Sequence, residues 1–163
     1  MAHEEAIVRE LAGKFPFLEG KITVKRERRI FAEASADRFM EVITYLAGPM
    51  VFTHLCTMTG LDEGDNLAFV YHLARMDGTM VNLKTTVPKS NPVIKTVTHL
   101  FPGGVLYERE VVDVLGVRVE GLPPGKRYPL PDNWPAGQYP LRKDWKPEML
   151  DAAQFAKGEM KNG

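Results

Sequence analysis

The stretch LYEREVVDVLGV at residues 106–117 gathers Glu108, Arg109 and Glu110 beside an apolar run, with Asp113 close behind. Two carboxylates so near each other could serve acid/base catalysis, which needs both groups on one small volume. The same charges could form a solvated helix face, or a surface that another protein reads. Tyr107, Val111, Val114 and Leu115 recur at i, i+4, i+7 and i+8, so the stretch is expected to be a helix, closed by Gly116. On a helix Glu108 and Glu110 project about 200° apart and do not converge on one substrate. Arg109 and Asp113 are i, i+4 neighbours that could pair, in the less favourable order. The apolar stripe turns inward, which leaves Glu108, Arg109 and Asp113 outside for hydrogen-bonded ion pairs with the C-terminal tail or with a second protein.

Other residues with chemistry are sparse. His54 and Cys56 alternate on one strand face, and His72 could lie on a neighbouring strand. Three such groups can hold a metal, but packed histidines and a cysteine with satisfied hydrogen bonds read the same way. His3 and His99 belong to no motif. Arg142 and Lys143, in PLRKDW, could hold a phosphate or a carboxylate, or form ordinary ion pairs. PGG at 102–104 lacks the pattern of a phosphate loop or a dinucleotide fingerprint. There is no CxxC, and one cysteine excludes an internal disulfide and a four-cysteine cluster. No catalytic constellation, metal site or cofactor is expected.

Totals narrow the classes further. A chain of 163 residues suits a single domain with a real core. Its 21 basic and 21 acidic residues balance, so neither a nucleic-acid backbone nor an anionic membrane is implied as partner. The opening MAHEEAIVRE lacks a basic region followed by an apolar run, and no signal peptide is expected. No apolar run approaches the roughly 18 residues of a spanning helix.

The elements that must position these residues follow from hydrophobic period. Ile7, Val8, Leu11 and Phe15 predict a first helix, and Phe39, Val42, Ile43 and Leu46 a second, stopped at Gly48-Pro49. KITVKRERRIFAEAS predicts two short strands around a charged turn. MVFTHLCTM is a third strand. LAFVYHLARM and TMVNLKTTV flank Asp77-Gly78, a strong hairpin signal. A two-residue turn there would pair Ala74 with Val81, His72 with Leu83 and Val70 with Thr85, and that face would meet the helices. Phe69, Tyr71 and Leu73 would then lie on the opposite face and need a cover. PVIKTVTHL at 92–100 reads as a helix opened by Pro92. The layout is α+β in two layers, helices on a largely antiparallel sheet, spanning residues 1–116.

From Val117 the character changes. Seven of the twelve prolines lie between Pro123 and Pro147. Such a segment holds no regular helix or central strand. Yet Leu122, Tyr128, Leu130, Trp134, Tyr139, Leu141 and Trp145 make it too apolar for a solvated linker. Residues 117–163 are expected to be an extended tail lying on a surface that a second protein partly supplies.

At this point the motifs resemble a known family. YEREVVDVLGV, EG, LPDNW and PLRKDW, with FTHLCTMTGLD, VYHL and VPKSNPVIKTVTHLFPG upstream, are similar to the thirty-kilodalton subunit of respiratory complex I. The same family includes the equivalent subunit of energy-converting membrane-bound [NiFe] hydrogenases and formate hydrogenlyases. The resemblance covers residues 50–146. It implies a non-catalytic hydrophilic-arm subunit without a cofactor of its own. Its tail would wrap the large subunit that holds the quinone site or the nickel site, beside other hydrophilic-arm subunits. It implies a peripheral position on the cytoplasmic side of the membrane, with membrane contact only through the complex. Tyr107, Glu108, Arg109, Glu110 and Asp113 match the signature helix, and Trp134, Pro140, Leu141, Arg142, Lys143 and Asp144 the tail motifs. All are expected at the partner interface. Leu106 stands where complex I members carry an aromatic residue, and Leu122 where they carry a histidine, which tilts the resemblance toward the hydrogenase branch. The rival reading is an independent small metal-binding protein or enzyme using His54, Cys56 and His72.

Overall fold

The computed structural model describes residues 2–150, so residues 151–163 of the expected tail lie outside the described part. Ala2–Lys14 forms α1, Ile22–Arg26 β1, Arg29–Glu33 β2 and Phe39–Ala47 α2. His54–Asp62 (β3), Asn66–Ala74 (β4) and Met80–Pro88 (β5) complete a sheet of order β1-β2-β5-β4-β3. Only β2 and β5 run parallel in it. Val93–Lys95 (β6) leads into Val105–Leu115 (α3), which returns to Arg118–Glu120 (β7), paired parallel to β6. The α+β architecture with a mostly antiparallel sheet is as expected. Both predicted early helices, the first two strands and the signature helix are present.

The hairpin register differs from expectation, and the difference changes the sheet's faces. The turn is not two residues long. Gly78 N–H bonds the Arg75 carbonyl at 3.0 Å, Arg75 N–H bonds the Thr79 carbonyl at 3.0 Å, and Gly78 takes φ +80°. A tight turn followed by a left-handed glycine is the usual three-residue connection, and it shifts the pairing by one. Leu73 now faces Val81, Tyr71 faces Leu83 and Phe69 faces Thr85. Leu67, Phe69, Tyr71 and Leu73 are therefore fully buried in the core, with residues of all three helices. The apolar face needs no external cover.

The other sheet face is polar. His72 Nδ1 meets Asn82 Oδ1 at 2.5 Å, His72 Nε2 meets Thr59 Oγ1 at 2.9 Å, and Asn82 Nδ2 donates to the Ile30 carbonyl at 3.1 Å. An antiparallel sheet with one wet side carries such a ladder.

Residues 92–100 are not a helix. Val93, Ile94, Thr96, Val97 and Thr98 are β-branched, stiff at χ1 and better suited to extended backbone. Val93–Lys95 pairs with β7 instead, and Arg118 N–H bonds the Pro92 carbonyl at 2.9 Å. Val117 and Val119 are core residues, so the stretch just beyond Gly116 belongs to the packed domain.

Candidate interaction surface

The signature helix is the hub of the molecule's polar bonding. Tyr107 Oη donates to the Cys56 carbonyl at 2.9 Å, at the β-bulge where Cys56 is the unpaired residue between Leu55 and Thr57. A bulge frees backbone groups from the ladder, and the tyrosine hydroxyl takes up one. Glu108 is not outward-facing: it is 0 % exposed. Its oxygens accept from Val97 N–H and Thr96 Oγ1, both at 2.6 Å, pinning the turn after β6 to α3. Burial pushes the Glu108 carboxyl above the usual carboxylate range, and the Thr96 and Val97 bonds and nearby His99 oppose that rise.

Arg109 and Asp113 do not pair with each other. Arg109 Nη2 donates to the Pro123 and Pro124 carbonyls at 3.3 and 3.0 Å. Asp113 accepts from Arg127 Nε at 3.2 Å and Nη2 at 3.1 Å, and from Leu130 N–H at 3.2 Å. Arg127 Nη1 continues to the Trp134 carbonyl at 3.1 Å. A planar guanidinium matches a carboxylate in this way, as an ammonium cannot. Glu110 is half-buried, and its side chain makes no hydrogen bond or ion pair among the described residues.

The tail folds back through the same helix. Gly116 ends α3 at φ +69°, and the Tyr139 ring occupies the space that a Cβ there would need. Arg142 stacks on Tyr139, 4.6 Å from the ring centroid, and its Nε donates to the Leu115 carbonyl at 2.7 Å. Leu141 N–H bonds the Val114 carbonyl at 3.0 Å. The motif arginine thus caps a helix C-terminus, where open carbonyls and the dipole favour a cation. Lys143 N–H and Lys89 Nζ both reach Asp62 Oδ2, at 2.8 and 2.7 Å, and Lys89 also bonds Asp144 at 2.9 Å. Burial acts to raise the Asp62 carboxyl, but the bonds from Lys89, Lys143 and Gly64 outweigh it and hold it at about 2. Trp134 and Trp145 donate to the backbone and side-chain oxygens of Gln138, both at 2.8 Å.

Part of the surface that the tail was expected to lie on is thus supplied by the protein's own domain. Arg127, Leu130, Leu141, Arg142 and Lys143 bond to the domain, while Trp134 and Trp145 bond to Gln138 within the tail. Of the residues expected at an interface, Glu108 and Asp113 are buried within the protein itself. Arg109, Trp134, Pro140 and Arg142 are half-buried, while Leu141, Lys143 and Asp144 keep exposed surface. On the signature helix and tail, Leu106, Tyr128, Leu141 and Met149 are large apolar side chains 45–57 % exposed; elsewhere Val51 and Met76 are exposed too. Sequence reasoning missed Arg127, Asp62 and Lys89. Asp62 had a signal, since its Oδ1 accepts from Gly64 N–H at 2.8 Å in a local Asp-turn of the GLDEGD stretch. Arg127 had none.

His54, Cys56 and His72 do not form a cluster. Both ring nitrogens of His72 are occupied, and no group of three His, Cys, Asp or Glu residues among those described could hold a metal.

Comparison with known proteins agrees with the motif resemblance. The family described as "Respiratory-chain NADH dehydrogenase, 30 Kd subunit" matches residues 32–149, and the chain belongs to it. A subunit of the F(420)H(2) dehydrogenase of Methanosarcina mazei is 36 % identical over 85 % of this chain and 89 % of its own length. Membrane-bound hydrogenase subunit beta of Pyrococcus furiosus is 28 % identical, over 90 % and 88 %. Among solved structures, a component of the membrane-bound sulfane sulfur reductase, an archaeal respiratory membrane complex, superposes with TM-score 0.74 at 29 % identity, covering 88 % of this chain and 86 % of that one. The trypsin-resistant fragment of Nqo5 gives TM-score 0.62 at 27 % identity, covering 74 % and 98 %. The match reaches further upstream than the quoted motifs. The relatives are named as subunits of membrane-bound oxidoreductase complexes of the complex I and hydrogenase kinds, and the independent-enzyme reading is not favoured.

Proposed function

We propose that this protein is a non-catalytic hydrophilic-arm subunit of a membrane-bound oxidoreductase of the complex I and energy-converting hydrogenase family, stabilising the large subunit that carries the quinone or NiFe site. One observation carries this reading. The charges of the signature helix and tail motif are used to lock a proline-stiffened tail onto the domain, with Tyr128, Leu141 and Met149 left facing out. A tail held in this way offers a partner a surface whose ordering entropy is already spent. On this reading the protein sits peripherally on the cytoplasmic side and reaches the membrane through the complex; no helix among the described residues is long and apolar enough to cross one.

The test is affinity purification of the tagged protein from detergent-solubilised membranes of its own organism. The large subunit should co-purify in equal amount. Recovery of the tagged protein alone, from membranes that retain the intact large subunit without it, would refute the reading.

A further inference from the structure

Between α3, β7 and residues 121–127 lies a cleft of about 440 Å³. Val112, Val117, Val119, Leu122, Pro123 and Pro124 give it apolar walls, and Arg109, Arg118, Lys126 and Arg127 bring positive charge against the single carboxylate of Asp113. The balance inside it is uneven. Asp113 is taken by Arg127, and Arg118 pairs outward with Glu120 at 3.1 Å. Arg109 is bonded only to the neutral carbonyls of Pro123 and Pro124, and Lys126 makes no bond among the described residues. Two cations are left without a counter-charge on the lining of one cleft.

Arg109 is also held in place. Gly125 packs so closely on its guanidinium that a Cβ there would collide with Nη2, Cζ and Nη1. With Nη2 committed to two carbonyls, the guanidinium is fixed and its remaining N–H groups are available. A rigid guanidinium fork suits a carboxylate, and little ordering entropy is then left to lose.

We propose that this cleft receives an acidic segment of a partner subunit, with an Asp or Glu carboxylate against Arg109 and Lys126 and an adjacent apolar side chain against the valine and proline wall. The apolar walls favour a peptide over a small inorganic anion. This inference rests on the subunit reading above and adds to it the chemistry of the partner at one site.

The experiment is zero-length carbodiimide cross-linking of the intact complex purified from membranes, with peptides identified by mass spectrometry. The reagent joins a lysine amine only to a carboxylate in direct contact. Lys126 should be linked to an Asp or Glu of another subunit, and Lys126→Arg should abolish that link with the complex still assembled. Lys126→Glu should lower the yield of assembled complex on the order of tenfold, because like charges would then face each other. Lys126 left unlinked in an intact complex, or linked only within its own protein, overturns the cleft proposal while the subunit reading stands. Full assembly of Lys126→Glu overturns it as well. A protein found in no complex at all removes both.

Discussion

Lys143 donates its backbone N–H to the Asp62 carboxylate at 2.8 Å, joining residues 81 apart and fastening the tail motif to the end of β3. Asp62 is nearly buried and also accepts from Lys89 and Gly64. Its carboxyl is held at about 2, below the ordinary 3.8. A depressed carboxylate contributes stability above its unfolded value and loses it as pH falls through the folded one. The fastening should therefore be fully present above pH 3.8 and be lost as pH falls towards about 2. Both tryptophans of the protein, Trp134 and Trp145, lie in the tail, so their fluorescence reports on it. An acid transition in that signal should appear in the wild type. In Asp62→Asn the tail signal should already be altered at neutral pH, with the acid step reduced.

The Asp113–Arg127 pair should matter more than an exposed ion pair. Asp113 is 7 % exposed and Arg127 28 %, so removing the carboxylate leaves a guanidinium largely out of water. Allowing for Arg127's partial exposure, Asp113→Ala should destabilise the protein by about 2–3 kcal/mol in urea unfolding. A double-mutant cycle with Arg127→Ala should recover most of that loss as coupling between the two.

Glu108 separates structure from acid/base chemistry. Glu108→Gln keeps an acceptor for Val97 N–H and can donate to Thr96, and burial already disfavours the charged carboxylate. It should leave the thermal midpoint of the isolated protein nearly unchanged. Glu108→Ala strands the Val97 amide and should cost about 1–3 kcal/mol. Turnover per assembled complex should be the same in Glu108→Gln as in the wild type.

Gly116→Ala tests the seat of the tail. The residue sits at φ +69° with Tyr139 against it, so a side chain meets both backbone strain and a clash. The strain alone should cost about 1–2 kcal/mol, and protease cleavage should move into residues 117–146.

Period and composition made much of this fold legible. Phe39, Val42, Ile43 and Leu46 share a helix face because the core demands it, and Gly116 ends α3 because a left-handed residue was needed there. The hairpin register was not legible. Asp77-Gly78 fits either a two- or a three-residue loop, and only the wider packing of Phe69, Tyr71 and Leu73 chooses between them. The tail's resting place was hidden for a related reason. The signature charges were visible, but many of their partners are backbone groups, which carry no mark in the sequence: carbonyls of Pro123, Pro124, Leu115 and Gly116 for Arg109 and Arg142, and the Val97 and Leu130 amides for Glu108 and Asp113. A reading limited to side chains left open whether Glu108, Arg109 and Asp113 bond the tail or a second protein; Glu108 and Asp113 are satisfied within the protein, while Arg109 meets only neutral carbonyls.

The most direct test of the assembly role is the yield and turnover of the membrane complex carrying Arg127→Ala. This change loosens the tail through the Asp113 bond and the Trp134 carbonyl while leaving the sheet and its core untouched. The complex should assemble in lower amount, and each assembled complex should turn over at the wild-type rate. Full assembly with lost turnover would contradict the account and give this helix and tail a direct part in the reaction.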